Sequence, residues 1–264
     1  MTDRTRVAVF GACGKMGQEV VKAVAGAADM TLVGAVDVVW AGTGISELVG
    51  IEGLNVNVEA DFAAMLERDR PHVVVDFAKP FVFEDTKLCL ERGVRAVIGT
   101  TGITPEEIAE IGRVAAENKT GAIIAPNFAI GAVLMMKFAA EAAKYMPAVE
   151  IIELHHDKKD DAPSGTSIKT SELVDAARKS AGIDWRVPCA GDAARGEEHN
   201  NVPIHSVRLP GLVAHQEVLF GGMGQMLSIR HDSLDRSSFM PGVLLAIRKV
   251  LSLEGLVYGL DNLI

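Results

Sequence analysis

The chain has 264 residues, 48% apolar and 23% charged, enough for one large or two modest domains, each with its own core. A net charge of −9 speaks against nucleic acid as a partner, because neutralising phosphates needs a surplus of Lys and Arg. Cys13, Cys89 and Cys189 lie far apart with no C-x-x-C pair, which argues against a disulfide framework or a zinc site and points to a reducing compartment.

Met1–Arg6 is polar and runs directly into a strand pattern, so no secretion signal is expected. The most apolar stretch, Ala122 to Met136, is interrupted by Pro126 and Asn127 and is too short for a bilayer. The expectation is a cytoplasmic protein with no membrane partner and no metal.

Val7–Phe10 reads as a buried strand, and Met16–Ala25 as a helix with Val20, Val21 and Val24 on one face. Thr31–Val36 is a second strand ending at Asp37, followed by apolar runs at His72–Phe77, Val94–Ile98 and Ala122–Ala125, each near a plausible helix. The best marked helix starts at Thr104, where Thr-Pro-Glu-Glu supplies an N-cap, a Pro at the first helical position and a capping-box Glu. Strands alternating with helices predict an α/β fold with a doubly wound parallel sheet covered on both faces.

After Asn127 the pattern changes. A helix over Val133–Tyr145 leads into a strand at Val149–His155, the polar loop His156–Asp161 and a helix starting near Pro163. Cys189–Asn201 reads as loop, and Ile204–Arg208, Val213–Phe220 and Met226–His231 as strands joined by Gly-containing turns. This predicts a second α/β domain with a mixed, mostly antiparallel sheet. The final helix, Gly242–Leu253, has the apolar density of one that returns to cover the first sheet. The expected division is a first domain over 1–126, completed by 237–264, and a second domain over 127–236.

Gly11-Ala12-Cys13-Gly14-Lys15-Met16-Gly17 closes the first strand and opens the first helix. Glycines permit a tight turn and let the backbone approach a pyrophosphate seated on the helix N-terminus. The spacing is G-x-x-G-x-x-G, and a glycine turn alone is common without any ligand. Met16 stands where a nucleoside-triphosphate loop would need Ser or Thr for magnesium. Asp37 follows Gly17 by about 20 residues at the end of the second strand, where an acid binds the ribose hydroxyls of a dinucleotide. Strand, glycine turn, helix, strand and acid together favour cofactor binding over a plain loop. Gly99-Thr100-Thr101-Gly102 and Ala125-Pro126-Asn127-Phe128 follow later strands, and ligands in such sheets bind outside the carboxyl ends of strands.

In Glu153-Leu154-His155-His156-Asp157-Lys158-Lys159-Asp160-Asp161-Ala162-Pro163-Ser164-Gly165-Thr166, two histidines and two lysines precede a Ser-Gly-Thr helix start. Such a start attracts carboxylates. On spacing alone, a solvated charge run before an ordinary N-cap stands equally well.

The segment resembles the E-x-H-H-x-x-K-x-D-A-P-S-G-T signature of the dihydrodipicolinate reductase family, and the resemblance covers nearly the whole chain. Gly11–Gly17 is similar to that family's G-x-x-G-[RK]-M-G loop, Gly99–Gly102 to its G-T-T-G, and Asn127-Phe128 to its N-F before the second domain. The resemblance implies a Rossmann domain built from both chain ends, and a central α/β domain that binds substrate and joins subunits into a homotetramer. It implies NAD(P)H-dependent reduction of 4-hydroxy-tetrahydrodipicolinate, a small dicarboxylate, in the diaminopimelate route to lysine. By position, His155 is implied as the acid/base residue and Lys159 as the proton donor, with His156, Gly165 and Thr166 on the substrate carboxylates. Gly11, Ala12, Cys13, Gly14, Lys15, Met16, Asp37, Gly99, Thr100, Thr101, Ala125, Pro126, Asn127 and Phe128 are implied to line the cofactor.

The chain departs from the family pattern at Val38, where many NADPH-using members carry Arg after the ribose-binding acid. Asp37 opposes a 2′-phosphate and Val38 cannot pair with it, so NADH is the favoured cofactor, with Lys79 or Lys15 as partial compensation for NADPH. Ala214, Gln216 and Gln225 stand where the family pattern has Gly and Glu residues.

Overall fold

The structure is a computed structural model that describes residues 4–100, 102–187 and 193–264. Thr101 and Cys189 therefore lie outside the described residues. The chain divides into two compact units, Met1–Phe128 with Phe239–Ile264, and Ala129–Ser238.

The first unit is a doubly wound α/β layer structure. Its strands are β1 (Thr5–Phe10), β2 (Met30–Val36), β3 (Val58–Glu59), β4 (Val73–Asp76), β5 (Arg95–Ile98), β6 (Gly121–Ile124) and β12 (Gly255–Tyr258). They form one parallel sheet in the order β12-β6-β5-β4-β1-β2-β3. Val7, Ala8, Val9, Val73–Val75 and Ala122–Ile124 are buried, as expected for strands covered on both faces. The helices are α1 (Lys15–Gly26), α2 (Ile45–Val49), α3 (Phe62–Asp69), α4 (Phe83–Glu91), α5 (Pro105–Glu117) and, from the chain's end, α8 (Met240–Val250). Helix α1 turns Val20, Val21 and Val24 inward, and α5 carries the expected capping box between Thr104 and Glu107.

Register brings the carboxyl ends of five strands level. Phe10 pairs with Val36 and Asp76, Asp76 with Ile98, and Ile98 with Ile124. Gly11, Asp37, Phe77, Gly99 and Ala125 thus leave the sheet side by side. The strand order reverses between β1 and β4, which is where open sheets of this kind hold ligands.

The second unit holds α6 (Ile130–Ala143), β7 (Ala148–His155), α7 (Gly165–Ser180), β8 (Glu197–His199), β9 (Val202–Arg208), β10 (Ala214–Gly222) and β11 (Gln225–Ser233). Its sheet runs β11-β10-β7-β9-β8, with only β7 and β9 parallel. Strand β8 corrects the loop expected over Cys189–Asn201. Its Glu-Glu-His sequence has no apolar alternation, and it is held by pairing to β9 across Asn200-Asn201, both in the left-handed conformation (φ 53° and 55°) that suits a two-residue hairpin turn. The short β3 and β12 likewise carry too few residues to show a period.

A methyl group on Gly17 would run into the carbonyl oxygen of Gly11, whereas one on Gly26 at the far end of the same helix would meet nothing within 4 Å. Gly17→Ala should therefore destabilise by about 2–4 kcal/mol, in the range of overpacked or strained sites, while Gly26→Ala should be neutral or slightly stabilising. Urea denaturation midpoints of the two variants check this; equal midpoints would show that the turn is not close-packed.

Candidate active site

In the first unit the glycine turn is shaped by close approach. Gly11 has φ +73°, and a methyl there would lie 2.7 Å from the backbone of Ala78, so only glycine fits. The N–H groups of Gly11 and Ala12 donate to the Val36 carbonyl (2.9 and 3.2 Å), that of Gly14 to Gly11 (3.1 Å) and that of Cys13 to Asp37 Oδ2 (3.0 Å). The bonding of α1 begins at Gln18, which donates to Gly14, and Gly14 provides no side-chain cap. Helix geometry therefore leaves the N–H groups of Lys15, Met16 and Gly17 without an acceptor in the helix, a seat for an anion. The sequence motif does not separate these three from the four before them.

Asp37 is oriented from two sides, with Oδ2 accepting from Cys13 and Oδ1 accepting from the N–H of Val39 at 3.0 Å. Each carboxylate oxygen keeps a further acceptor direction, so the pair can take two neighbouring hydroxyls. A cleft of about 380 Å³ opens here, lined by Gly11, Gly14, Asp37, Trp40, Ala78 and Lys79 among others. Val38 is 83% exposed and offers no charge to it. Burial, helped by the charge and hydrogen bond of Asp37, pushes the Cys13 thiol up to about 11, so this cysteine is a neutral wall of the cleft.

The neighbouring loops are packed onto this turn. A methyl on Gly99 would run into the Phe77 ring, and that ring lies 5.7 Å from the ring of Phe128. Thr100 is buried, with its hydroxyl bonded to the Asp76 carboxylate (3.1 Å) and the Ala78 carbonyl (3.0 Å). Ala12, Ala125 and Phe128 are also buried, while Pro126 is exposed and Asn127 half-buried. The glycine cradle, the anion seat and the oriented acid fit a dinucleotide.

The second unit organises the His-Lys loop around Glu153. This carboxylate is fully buried in β7. Arg208 at the end of β9 grips it with both terminal nitrogens (2.8 and 2.9 Å), His155 Nδ1 lies 2.5 Å from Oε2, and the Ser164 N–H donates to Oε1 at 3.3 Å. Burial alone would raise the Glu153 carboxyl, but the bonds from His155 and Arg208 outweigh it and hold it down to about 2. With Glu153 ionised, its Oε2 accepts a hydrogen bond from the Nδ1–H of His155, which leaves Nε2 as the ring nitrogen available to another partner. Arg208 also donates to the Asp161 carbonyl at 2.8 Å, so the same guanidinium anchors the far end of the loop.

Lys159 Nζ donates to both oxygens of Asp161 (2.6 and 2.7 Å), and that bond holds the Asp161 carboxyl below the usual carboxylate range. His156 and Gly165 are exposed. Helix α7 is capped by Ser164, whose hydroxyl accepts from the Ser167 N–H, and a methyl added at Gly165 would meet nothing within 4 Å. Thr166 sits in the first turn, its carbonyl accepting from the Thr170 hydroxyl, which in turn accepts from Gln216 Nε2. Gln216, one of the departures from the family pattern, is thus a buried anchor of this helix start.

Family models match both halves of the chain, "Dihydrodipicolinate reductase, N-terminus" over residues 5–128 and "Dihydrodipicolinate reductase, C-terminus" over 131–264. The chain belongs to the dihydrodipicolinate reductase family. It is 53% identical over 268 residues to 4-hydroxy-tetrahydrodipicolinate reductase of Syntrophomonas wolfei, covering 100% of both chains. It is 55% identical over 262 residues to the enzyme of the same name from Listeria monocytogenes serotype 4b, covering 98% of this chain and 99% of that one. Among solved structures, the dipicolinate-bound dihydrodipicolinate reductase of Paenisporosarcina sp. TG-14 matches with a TM-score of 0.86 and 47% identity, over 99% of this chain and 100% of that one. Among the described residues no helix is long and apolar enough to cross a membrane, and no group of His, Cys, Asp and Glu is placed to hold a metal ion.

Sequence reasoning placed His155, Lys159, Gly165 and Thr166 in one segment of this reductase fold but missed what holds them. Glu153 was visible two residues before His155, a spacing that puts both side chains on one face of a strand. Arg208 carried no signal, because its partner lies 55 residues away. Asp76 and Trp40 were also missed.

The held-down Glu153 carboxyl has a consequence for stability. Its pKa falls on folding from the ordinary value of 4.5 to about 2, so the stabilisation is complete above pH about 4.5 and is lost as pH drops through about 2. The thermal midpoint should fall across that window more steeply in the parent than in Glu153→Gln, which has no carboxyl to protonate there. Parallel pH profiles would show that Glu153 is not held ionised by Arg208 and His155.

Proposed function

We propose that the chain catalyses the NAD(P)H-dependent reduction of 4-hydroxy-tetrahydrodipicolinate to tetrahydrodipicolinate, in the diaminopimelate route of lysine biosynthesis. The observation that carries the reading is the His155–Lys159 loop, fixed at both ends by Glu153 and Arg208 and followed by the start of α7. It is supported by the full-length match to relatives that bear this enzyme's name.

A reduced nicotinamide, when bound, supplies the hydride. The glycine turn with the N–H groups of Lys15, Met16 and Gly17 holds the pyrophosphate, and Asp37 accepts from the adenosine ribose. Gly99, Thr100, Thr101, Ala125, Pro126, Asn127 and Phe128 complete the cofactor's surroundings. In the second unit, His156, the N-terminus of α7 at Gly165 and the Thr166 hydroxyl hold the substrate carboxylates.

Loss of the 4-hydroxyl as water leaves a ring double bond conjugated to the imine. Adding hydride to that double bond puts negative charge on the conjugated nitrogen system, and that charge needs a proton. Lys159, held by Asp161, supplies the proton and stabilises the charge as it develops. His155 acts as acid/base partner through Nε2, because Glu153 occupies Nδ1. Exposed Met226 and Leu227 on the outer strand β11 suit burial between copies of the chain, in keeping with a homotetramer. The reading places the enzyme in the cytoplasm.

Lys159→Ala and His155→Ala should each lower kcat by about a hundredfold or more, the usual contribution of an acid/base group, with NADH binding nearly unchanged. Steady-state turnover with a separate NADH titration checks this. Near-parental turnover in both variants would remove the assignment.

Cofactor choice follows from charge. Asp37 opposes the extra phosphate of NADPH, by at most about 4 kcal/mol for unit charges near 4 Å at an effective dielectric of about 20, and solvent and Lys79 reduce this greatly. The enzyme should use NADH at least as well as NADPH, and Val38→Arg should shift the ratio of kcat/KM values toward NADPH. A parent preferring NADPH by about a hundredfold would show that the lysines dominate Asp37.

A further inference from the structure

Asp76 is the last residue of β4 and is only 3% exposed, yet the chemistry above makes no use of it. Its Oδ1 accepts from the Ala78 N–H at 2.7 Å and faces the Thr100 hydroxyl at 3.1 Å. That hydroxyl also lies 3.0 Å from the Ala78 carbonyl. These contacts tie together two loops that leave neighbouring strands, the one after β4 and the one after β5. Ala78 is wedged against Gly11, and the Phe77 ring fills the space beside Gly99. One carboxylate therefore binds the loops after β4 and β5 to each other, and through Ala78 it backs the glycine turn assigned to the dinucleotide.

The rest of β4 is Val73–Val75, so an apolar residue would fill the end of this strand without the desolvation that a buried acid suffers. Burial pushes the Asp76 carboxyl up to about 6, against the opposing bonds from Ala78 and Thr100, with Asp85 adding to the rise. The buried Cys89 thiol also feels the Asp76 charge. An acid kept at such a place is better explained by what it holds than by packing.

We infer that Asp76 is a positioning residue for the dinucleotide, setting the spacing of the loops at Phe77–Lys79 and Gly99–Thr100 against the glycine turn. This rests on the dinucleotide reading of the first unit. A residue that merely ended a strand would affect stability alone.

The test is the dissociation constant of NADH, read by fluorescence titration, beside full kinetics. Asp76→Ala, losing both bonds, should raise that constant about tenfold while kcat at saturating NADH and the KM of the dicarboxylate stay within about twofold. Asp76→Asn keeps Oδ1 as acceptor for both the Ala78 N–H and the Thr100 hydroxyl, so it should return the constant to within about threefold of the parent. A folded Asp76→Ala variant with parental NADH affinity overturns the inference. If that variant does not fold, Thr100→Val takes its place. It should weaken NADH binding by at least about threefold, with Thr100→Ser restoring it, and an unchanged constant again overturns the inference. A parent chain that does not bind NADH removes the dinucleotide reading itself, and the inference with it.

Discussion

The arrangement of the His155–Thr166 segment depends on the buried Glu153 carboxylate. An acid taken fully out of water is costly unless it is paired and fully hydrogen-bonded, and here Arg208 answers both oxygens at once. Once the pair is in place, much else is constrained. Nδ1 of His155 is committed to Oε2, the start of α7 is drawn in through Ser164, and Arg208 reaches the Asp161 carbonyl. One ion pair thus orients the histidine, ends the loop and begins the helix that follows. Removing Arg208 leaves the buried Glu153 carboxylate without its bidentate counter-charge, a loss that is typically worth several kcal/mol.

The first unit reaches a comparable order by different means. There the constraint is close approach of backbones: Gly11 against Ala78, Gly17 against Gly11, and Gly99 beneath the Phe77 ring. Parallel pairing brings the strand ends level, and the missing side chains let successive loops stack there. Polar groups then finish the arrangement, Asp37 binding the turn and Asp76 binding the loops to each other. The first unit is shaped by atoms that are absent, the second by a charge that is present.

Much of this was legible in the sequence, for reasons that can be stated. The glycine turn announces itself because strand, turn, helix and acid lie within about 30 residues, a span in which spacing reflects geometry directly. The Thr104 capping box is local in the same way. The His155–Thr166 segment was legible through its resemblance, since spacing alone left it balanced against a plain charged loop. What escaped was non-local. Glu153 meets Arg208 only because β7 and β9 lie side by side, with His155 opposite Arg208, and no spacing encodes which strands become neighbours. Thr100 reaches Asp76 across β4 and β5 for the same reason. Strand β8 was hidden because an edge strand held by backbone pairing needs no apolar alternation, although Asn200-Asn201 was a readable sign of its turn.

The account stands on reduction of the cyclic dicarboxylate by this chain, and one measurement tests that most directly. The substrate is generated in place from pyruvate and aspartate semialdehyde by the synthase that precedes it, and the loss of NADH is followed with and without the chain. The account predicts continuous NADH consumption that requires both proteins and scales with the concentration of this one. Stoichiometric binding of NADH with no consumption, under conditions where the synthase is active, would contradict it.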